Sequence, residues 1–153
     1  MSSTDFERPT ALQDFPIVVR IPIQWGDLDA YGHVNNVVYM KWFEHVRCLY
    51  GERVGVEVVS RDSGTGAIVA SVQCKYLRQL NFPGDVAVGV RVCRVSIGSV
   101  SLECLIVDEA TGVPAAQATC DVVLYNFAQQ KPVPVPDAIR EAVEKLEGKS
   151  FPL

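Results

Sequence analysis

Residues 36–54 read NVVYMKWFEHVRCLYGERV. Tyr39, Trp42, Phe43, Val46, Leu49 and Tyr50 recur at i, i+3, i+4 and i+7 spacing, while Lys41, Glu44, His45, Arg47 and Glu52 fill the other face. That is the period of an amphipathic helix, predicted from about Asn36 to about Val54. Just upstream the period is different. Ile17, Val19, Ile21, Ile23 and Trp25 are apolar at every second position, with Arg20 and Gln24 between them. Alternation of this kind predicts a strand with one buried face. Between the two lies Gly26-Asp-Leu-Asp-Ala-Tyr-Gly-His-Val-Asn-Asn36, a loop by its Gly, Asp and Asn content.

Everything downstream of a Gly-containing connection at 55–66 reads as β. Ile68, Ala70, Val72, Cys74 and Tyr76 alternate, as do Val86, Val88, Val90 and Val92 after the turn Asn81-Phe-Pro-Gly-Asp85. Val100 to Ile106 and Val113 to Phe127 form two further runs, and the short connections imply antiparallel hairpins. Pro132, Pro134 and Pro136 hold the chain extended ahead of a short helix opened by Asp137, with Ile139, Ala142, Val143 and Leu146 on one side. Residues 1–15 read as a loose arm, and residues 16–148 as one domain without internal repeats. The expected class is therefore α+β, a five-stranded antiparallel sheet with one long helix. One helix covers only one face of such a sheet, so wrapping the sheet round the helix is the economical solution. The uncovered face or edge is then expected to meet another subunit.

Composition supports a packed domain. Of 153 residues 48% are hydrophobic and 21% charged, with 14 Lys+Arg against 18 Asp+Glu. A chain this apolar is not disordered, and a net charge of −4 argues against nucleic acid as a partner. The five cysteines, at 48, 74, 93, 104 and 120, are odd in number and lack C-x-x-C spacing, which suggests neither a disulfide framework nor a zinc site. They are expected to be reduced core residues. The first residues lack an apolar stretch of signal-peptide type, and no apolar run approaches a membrane span. A soluble cytoplasmic protein is expected, without membrane association.

Functional groups are dense only in the loop before the helix, at Asp27, Asp29, Tyr31, His33, Asn35 and Asn36. A carboxylate and an imidazole there precede a helix start, whose first amides are unpaired donors with partial positive charge. Such donors polarise a carbonyl and hold a developing oxyanion, while a carboxylate attacks the carbon or deprotonates a water that does. Acyl transfer or hydrolysis is the natural chemistry. The plainer reading is that Asp and Asn form the turn and cap the helix, Asn35 as N-cap. Asp27, Asp29 and His33 also make a possible metal ligand set, but no supporting pattern accompanies them, and no metal or cofactor is expected.

The stretch Trp25-Gly-Asp-Leu-Asp-Ala-Tyr-Gly-His-Val-Asn-Asn-Val-Val-Tyr39, continuing to Arg47, resembles the 4-hydroxybenzoyl-CoA thioesterase-like family of hotdog-fold proteins. That family's pattern is D-x-D-x-x-G-H-V-N-N-x-x-Y, followed by an Arg on the helix, and its core is similar to plant acyl-ACP thioesterases. The likeness runs more loosely over about residues 17–147. It implies a hotdog fold with active sites between protomers of a homodimer or homotetramer. Asp29 matches the family's catalytic carboxylate, nucleophile or general base, and His33 matches a plant active-site His. The amide of Asn36 or a neighbour matches the donor to the thioester carbonyl. Asn35, Asn36 and the motif's Tyr39 are the implied substrate-binding residues, with Ser101 (and Ser99) on the hairpin as further hydrogen-bonding candidates. Two positions depart from the pattern. Tyr31 stands where the plant enzymes have Asn, and Asn36 where some bacterial members have His.

Glu44, opposite the apolar stripe beside Lys41 and Arg47, reads as a solvated ion-pair residue rather than a catalyst. Arg91 and Arg94 are the nearest candidates for CoA phosphates and read more simply as surface charges. The expected activity is hydrolysis of an acyl-CoA. An acyl-ACP thioesterase, an enoyl-thioester hydratase or dehydratase, and a non-catalytic acyl-CoA-binding protein are the alternatives. The hydratase motif D-x-N-P-x-H differs, since Asp29 to His33 is one residue shorter and has no Pro.

Overall fold

The computed structural model describes residues 6–56 and 64–152. In chain order the elements are β1 (Ile17–Pro22), α1 (Asn36–Arg53), β2 (Thr65–Tyr76), β3 (Asp85–Val95), β4 (Ser99–Asp108), β5 (Val113–Asn126), β6 (Lys131–Val133) and α2 (Asp137–Glu147). The strands form an antiparallel sheet in the order β1-β3-β4-β5-β2, with β6 paired to β5. β1 runs against β3 from Ile17↔Val90 to Pro22↔Asp85. The sixth strand adds to the five read from the sequence. It is three residues long and contains Pro132, opposite Tyr125, so no alternation announces it.

α1 begins where the periodicity begins and stops one residue short of the expected end. Gly55, at φ +90°, turns the chain out of the helix. The amide of Val56 donates to the Gly51 carbonyl and that of Gly55 to Glu52, the paired bonds of a Schellman stop. β1 is shorter than its pattern. The chain leaves it at Pro22, and Trp25 opens a 3-10 turn and is 75% exposed.

By proximity along the fold, the chain divides into two compact units. The first comprises residues up to Val46, Cys74–Val90 and Cys104–Ala118. Within it Val38, Tyr39, Trp42, Phe43 and Val46 of α1 are buried, as are Val86, Val88 and Val90 on one face of β3. Ala87 and Gly89, which alternate onto the other face, are buried too. Their cover is the N-terminal segment. Leu12 and Phe15 form a separate apolar cluster with Ala87 and Val107, joined by Phe6, Val18 and Leu105. A Cβ at Gly89 would stand 2.6 Å from Leu12 Cδ2 and 3.0 Å from the Phe15 ring, so the close approach uses the missing side chain. Arg8 Nη1 donates to the Phe15 carbonyl and Gln13 Nε2 to that of Arg8. The described part of the arm, residues 6–15, is thus packed down rather than loose. Two isolated apolar residues beside Pro9 carry no period that could have shown it.

The second unit comprises Arg47–Gln73, Arg91–Glu103 and the residues from Thr119 onward. Here Tyr50 O–H and the Val92 amide both donate to Glu147 Oε1 at 2.7 Å, tying the last turn of α2 to α1 and β3. Burial, then the Glu147 bond, push the Tyr50 phenol far above its ordinary pKa. Arg140 donates to the carbonyls of Phe151 and Ser96, and Phe151 is buried.

β2 ends the strand order, and most of its length is exposed, including Ile68, Val69, Val72 and Tyr76. Its alternation predicts one buried face, but within this chain that face has little cover. None of the five cysteines is in a disulfide; Cys104 and Cys120 are buried, Cys74 is half-buried, and Cys48 and Cys93 are exposed rather than in the core. Among the described residues no helix is long and apolar enough to cross a membrane.

Candidate active site

The loop ahead of α1 is shaped mainly by its own backbone. Asp27 closes the 3-10 turn, its Oδ2 accepting from the Gln24 amide at 2.8 Å, and its carbonyl accepts from the Asn35 amide at 2.9 Å. Leu28 and Val34 then form an antiparallel bridge. Inside it the Asp29 amide donates to the His33 carbonyl (2.9 Å) and the Gly32 amide to the Asp29 carbonyl (3.0 Å). Gly32 is at φ +79°, a conformation that favours glycine. The Val34 amide donates to the Leu80 carbonyl at 2.9 Å, pinning the loop to the segment after β2.

Within this turn, Asp29 Oδ1 accepts from the Tyr31 amide at 2.9 Å. Among the described residues Oδ2 of Asp29 has no hydrogen-bond partner, and the side chain is exposed. Asn35 is the helix cap, as its position predicts. Its Oδ1 accepts from the Val37 amide at 3.0 Å and its carbonyl from the Val38 amide at 2.9 Å. The amide of Asn36, the first residue of α1, is left without a partner among the described residues. Asn35→Ala should therefore lower stability by about 0.5–2 kcal/mol, while Asn35→Ser keeps most of it, as read by urea unfolding.

Asp29, His33, Asn35, Asn36 and Tyr39 all lie in the first unit. Asp29 and His33 face each other across the turn through their main chains. Tyr39 is buried; its O–H donates to the Arg78 carbonyl at 3.1 Å, and burial pushes its phenol up to about 12. Its ring lies 5.2 Å from that of Tyr76, edge-on, and 5.7 Å from that of Trp42. Ser101 belongs to the second unit. Its hydroxyl donates to Asp121 Oδ1 at 2.5 Å, and Ser71 donates to Oδ2 at 3.0 Å. These two bonds hold the Asp121 carboxyl below its ordinary pKa. Ser99 is engaged with Ser96 at the hairpin turn. Glu44 is exposed, and Arg91 pairs with Glu103 at 2.8 Å. Among the described residues no three His, Cys, Asp or Glu side chains are grouped as a metal site requires.

One side chain at the helix start has no counterpart in the sequence reading. Tyr76 O–H donates to the Asn36 carbonyl at 3.3 Å. Position 76 reads only as the end of an alternating strand, and nothing in a linear pattern links it to residue 36.

A family model described as the thioesterase-like superfamily matches residues 23–143, which contain this whole loop, α1 and Tyr76. The chain belongs to that superfamily. Its fold is the hotdog fold of solved thioesterases. A thioesterase from Thermus thermophilus, complexed with coenzyme A and zinc, superposes with a TM-score of 0.80 at 33% identity, covering 92% of this chain and 99% of that one. The uncharacterized protein YsmA of Bacillus subtilis is 31% identical over 91 residues, 60% of each chain. The chloroplastic acyl-acyl carrier protein thioesterase ATL3 of Arabidopsis thaliana is 25% identical over 124 residues, 80% of this chain. The matches span 60% of YsmA and 64% of ATL3.

Proposed function

We propose that this superfamily member hydrolyses an acyl-CoA to the free acid and coenzyme A. The observation that carries the reading is the pairing, in one backbone-held loop, of the open Asp29 Oδ2 with the unpartnered Asn36 amide. The amide receives the carbonyl oxygen, where the helix start favours negative charge. Asp29 takes a proton from water as hydroxide adds to the carbonyl carbon, or attacks that carbon itself. On the first route the C–S bond then breaks and the thiolate leaves with the proton that Asp29 took. On the second the thiolate leaves as an anhydride forms with Asp29; water then cleaves that anhydride, freeing the acid and the carboxylate and supplying the thiol's proton. His33, across the turn, orients the reactants or relays protons.

Coenzyme A bound to the Thermus relative supports CoA as the carrier. The Arabidopsis relative favours a second reading, an acyl-ACP substrate. Free-thiol release from short, long and aromatic acyl-CoAs, with an acyl-ACP alongside, tests both. Turnover of an acyl-CoA supports the first reading, and turnover of the acyl-ACP alone supports the second. Release from none of them overturns both.

The active unit in this reading is a homodimer or homotetramer with its sites at the interface. The exposed apolar side chains of the terminal strand β2 support it, because an open apolar sheet edge is a ready pairing surface. Light scattering at micromolar concentration should give at least twice the chain mass of 16.8 kDa, and a monomeric mass overturns the assembly.

A further inference from the structure

The loop that carries Asp29 is closed by main-chain bonds, and both of its ends meet at Asp27. At the entry, Asp27 is the last residue of the 3-10 turn Trp25–Asp27. Its amide donates to the Gln24 carbonyl at 3.0 Å, and its Oδ2 accepts from the Gln24 amide at 2.8 Å. At the exit, its carbonyl accepts from the Asn35 amide at 2.9 Å. Inside that closure come the Leu28–Val34 bridge and then the bond from the Asp29 amide to the His33 carbonyl. These rungs follow one another, so the orientation of residue 27 is passed along the ladder to residue 29. Of the bonds that set residue 27, only the one to Oδ2 depends on its side chain. Asp27 is half-buried at the base of the loop, whereas Asp29 is exposed.

We propose that Asp27 is a positioning residue for the reaction, its carboxylate clamping the start of the loop so that the ladder beyond holds the Asp29 carboxylate in one place. The inference rests on the thioesterase reading above. Asp27 itself touches no reacting atom and exchanges no proton. Its carboxylate strengthens the bond to the Gln24 amide, since charged acceptors bind an N–H more tightly than neutral ones. The geometry, however, asks only for an acceptor oxygen at this reach, and a side-chain amide supplies one. Without any acceptor, residue 27 is free to swing out of the 3-10 turn. A displacement of about 1 Å at a reacting group costs up to about a hundredfold in rate. The two aspartates of Asp27-Leu28-Asp29 thus differ in what they supply: a hydrogen-bond acceptor at 27 and a negative charge at 29.

Free-thiol release by Asp27→Ala and Asp27→Asn, measured beside Asp29→Asn and Leu12→Ala, tests the role. Asp27→Ala should lower kcat by about fivefold to thirtyfold, with KM within about twofold. Its melting temperature should fall by only about 1–4 °C, as for a lost capping bond. Asp27→Asn keeps the acceptor, and its kcat should stay within about threefold of wild type. Leu12→Ala loses more stability outside the loop, yet well below its melting temperature its kcat should stay within about twofold. An Asp27→Asn variant as inactive as Asp29→Asn overturns the role, because charge is then required at both positions. So does an Asp27→Ala variant that keeps its kcat or does not fold. A Leu12→Ala variant that loses as much kcat as Asp27→Ala also overturns it, since the effect is then general instability. Turnover lost in Asp29→Asn but kept in Asp27→Ala removes Asp27 alone and leaves the thioesterase reading standing. Absence of thiol release from the wild-type chain overturns both.

Discussion

Asp29→Asn is expected to lower acyl-CoA turnover by about a hundredfold to ten-thousandfold, the usual weight of a positioned acid–base group. The substitution is nearly isosteric. An Asn oxygen still accepts from the Tyr31 amide, so the turn from Leu28 to Val34 keeps its shape. What goes is the negative charge on the open oxygen, and with it the ability to take a proton from water or attack the carbonyl carbon. Free-thiol release under single-turnover conditions, beside a thermal melt within about 2 °C of wild type, reads both halves of this expectation. Activity retained within a few-fold would remove Asp29 from the reaction and leave it a turn-former.

Leu12→Ala should cost about 2–5 kcal/mol, the range for a fully buried leucine. For a chain of this size that lowers the melting temperature by roughly 4–20 °C. Leu12 has no exposed surface, and it packs with Phe15, Ala87 and Val107 over the seat left open by Gly89. An exposed residue of the same segment, Gln13, is the comparator, and its replacement by Ala should change stability by less than about 0.5 kcal/mol. A loose arm would make the two substitutions equally silent in calorimetry, and that result would contradict the packing.

These two residues mark where the linear pattern is informative and where it stops. α1 was legible because eighteen residues repeat one spacing, and β3 to β5 because alternation survives wherever a strand has a buried side. The loop at 26–36 stood out because Asp29 and His33 fall just ahead of a helix start, and Asn35 caps as its side chain predicts. Burial without a period was not legible. Leu12 and Phe15 gain their environment from Gly89 and Val107, more than seventy residues away. β2 shows the reverse case, since its alternation is intact but this chain supplies little to cover it. Ser101 had the right residue type on a hairpin, yet its hydroxyl is engaged by Asp121, a partner in another strand. Tyr76 reaches Asn36 through tertiary structure alone.

The turn that carries Asp29 is held by main-chain bonds, from Asp29 to His33, from Val34 to Leu80 and from Asn35 to Asp27. Peptide groups supply those bonds whatever side chain is attached. Ala30 and Tyr31, both exposed, lie inside this frame without being needed for it. The loop thus separates two kinds of change. Side chains at 30 and 31 can change without disturbing the main-chain bonds that hold Asp29, so the surface beside the proposed carboxylate is expected to vary while the carboxylate keeps its place.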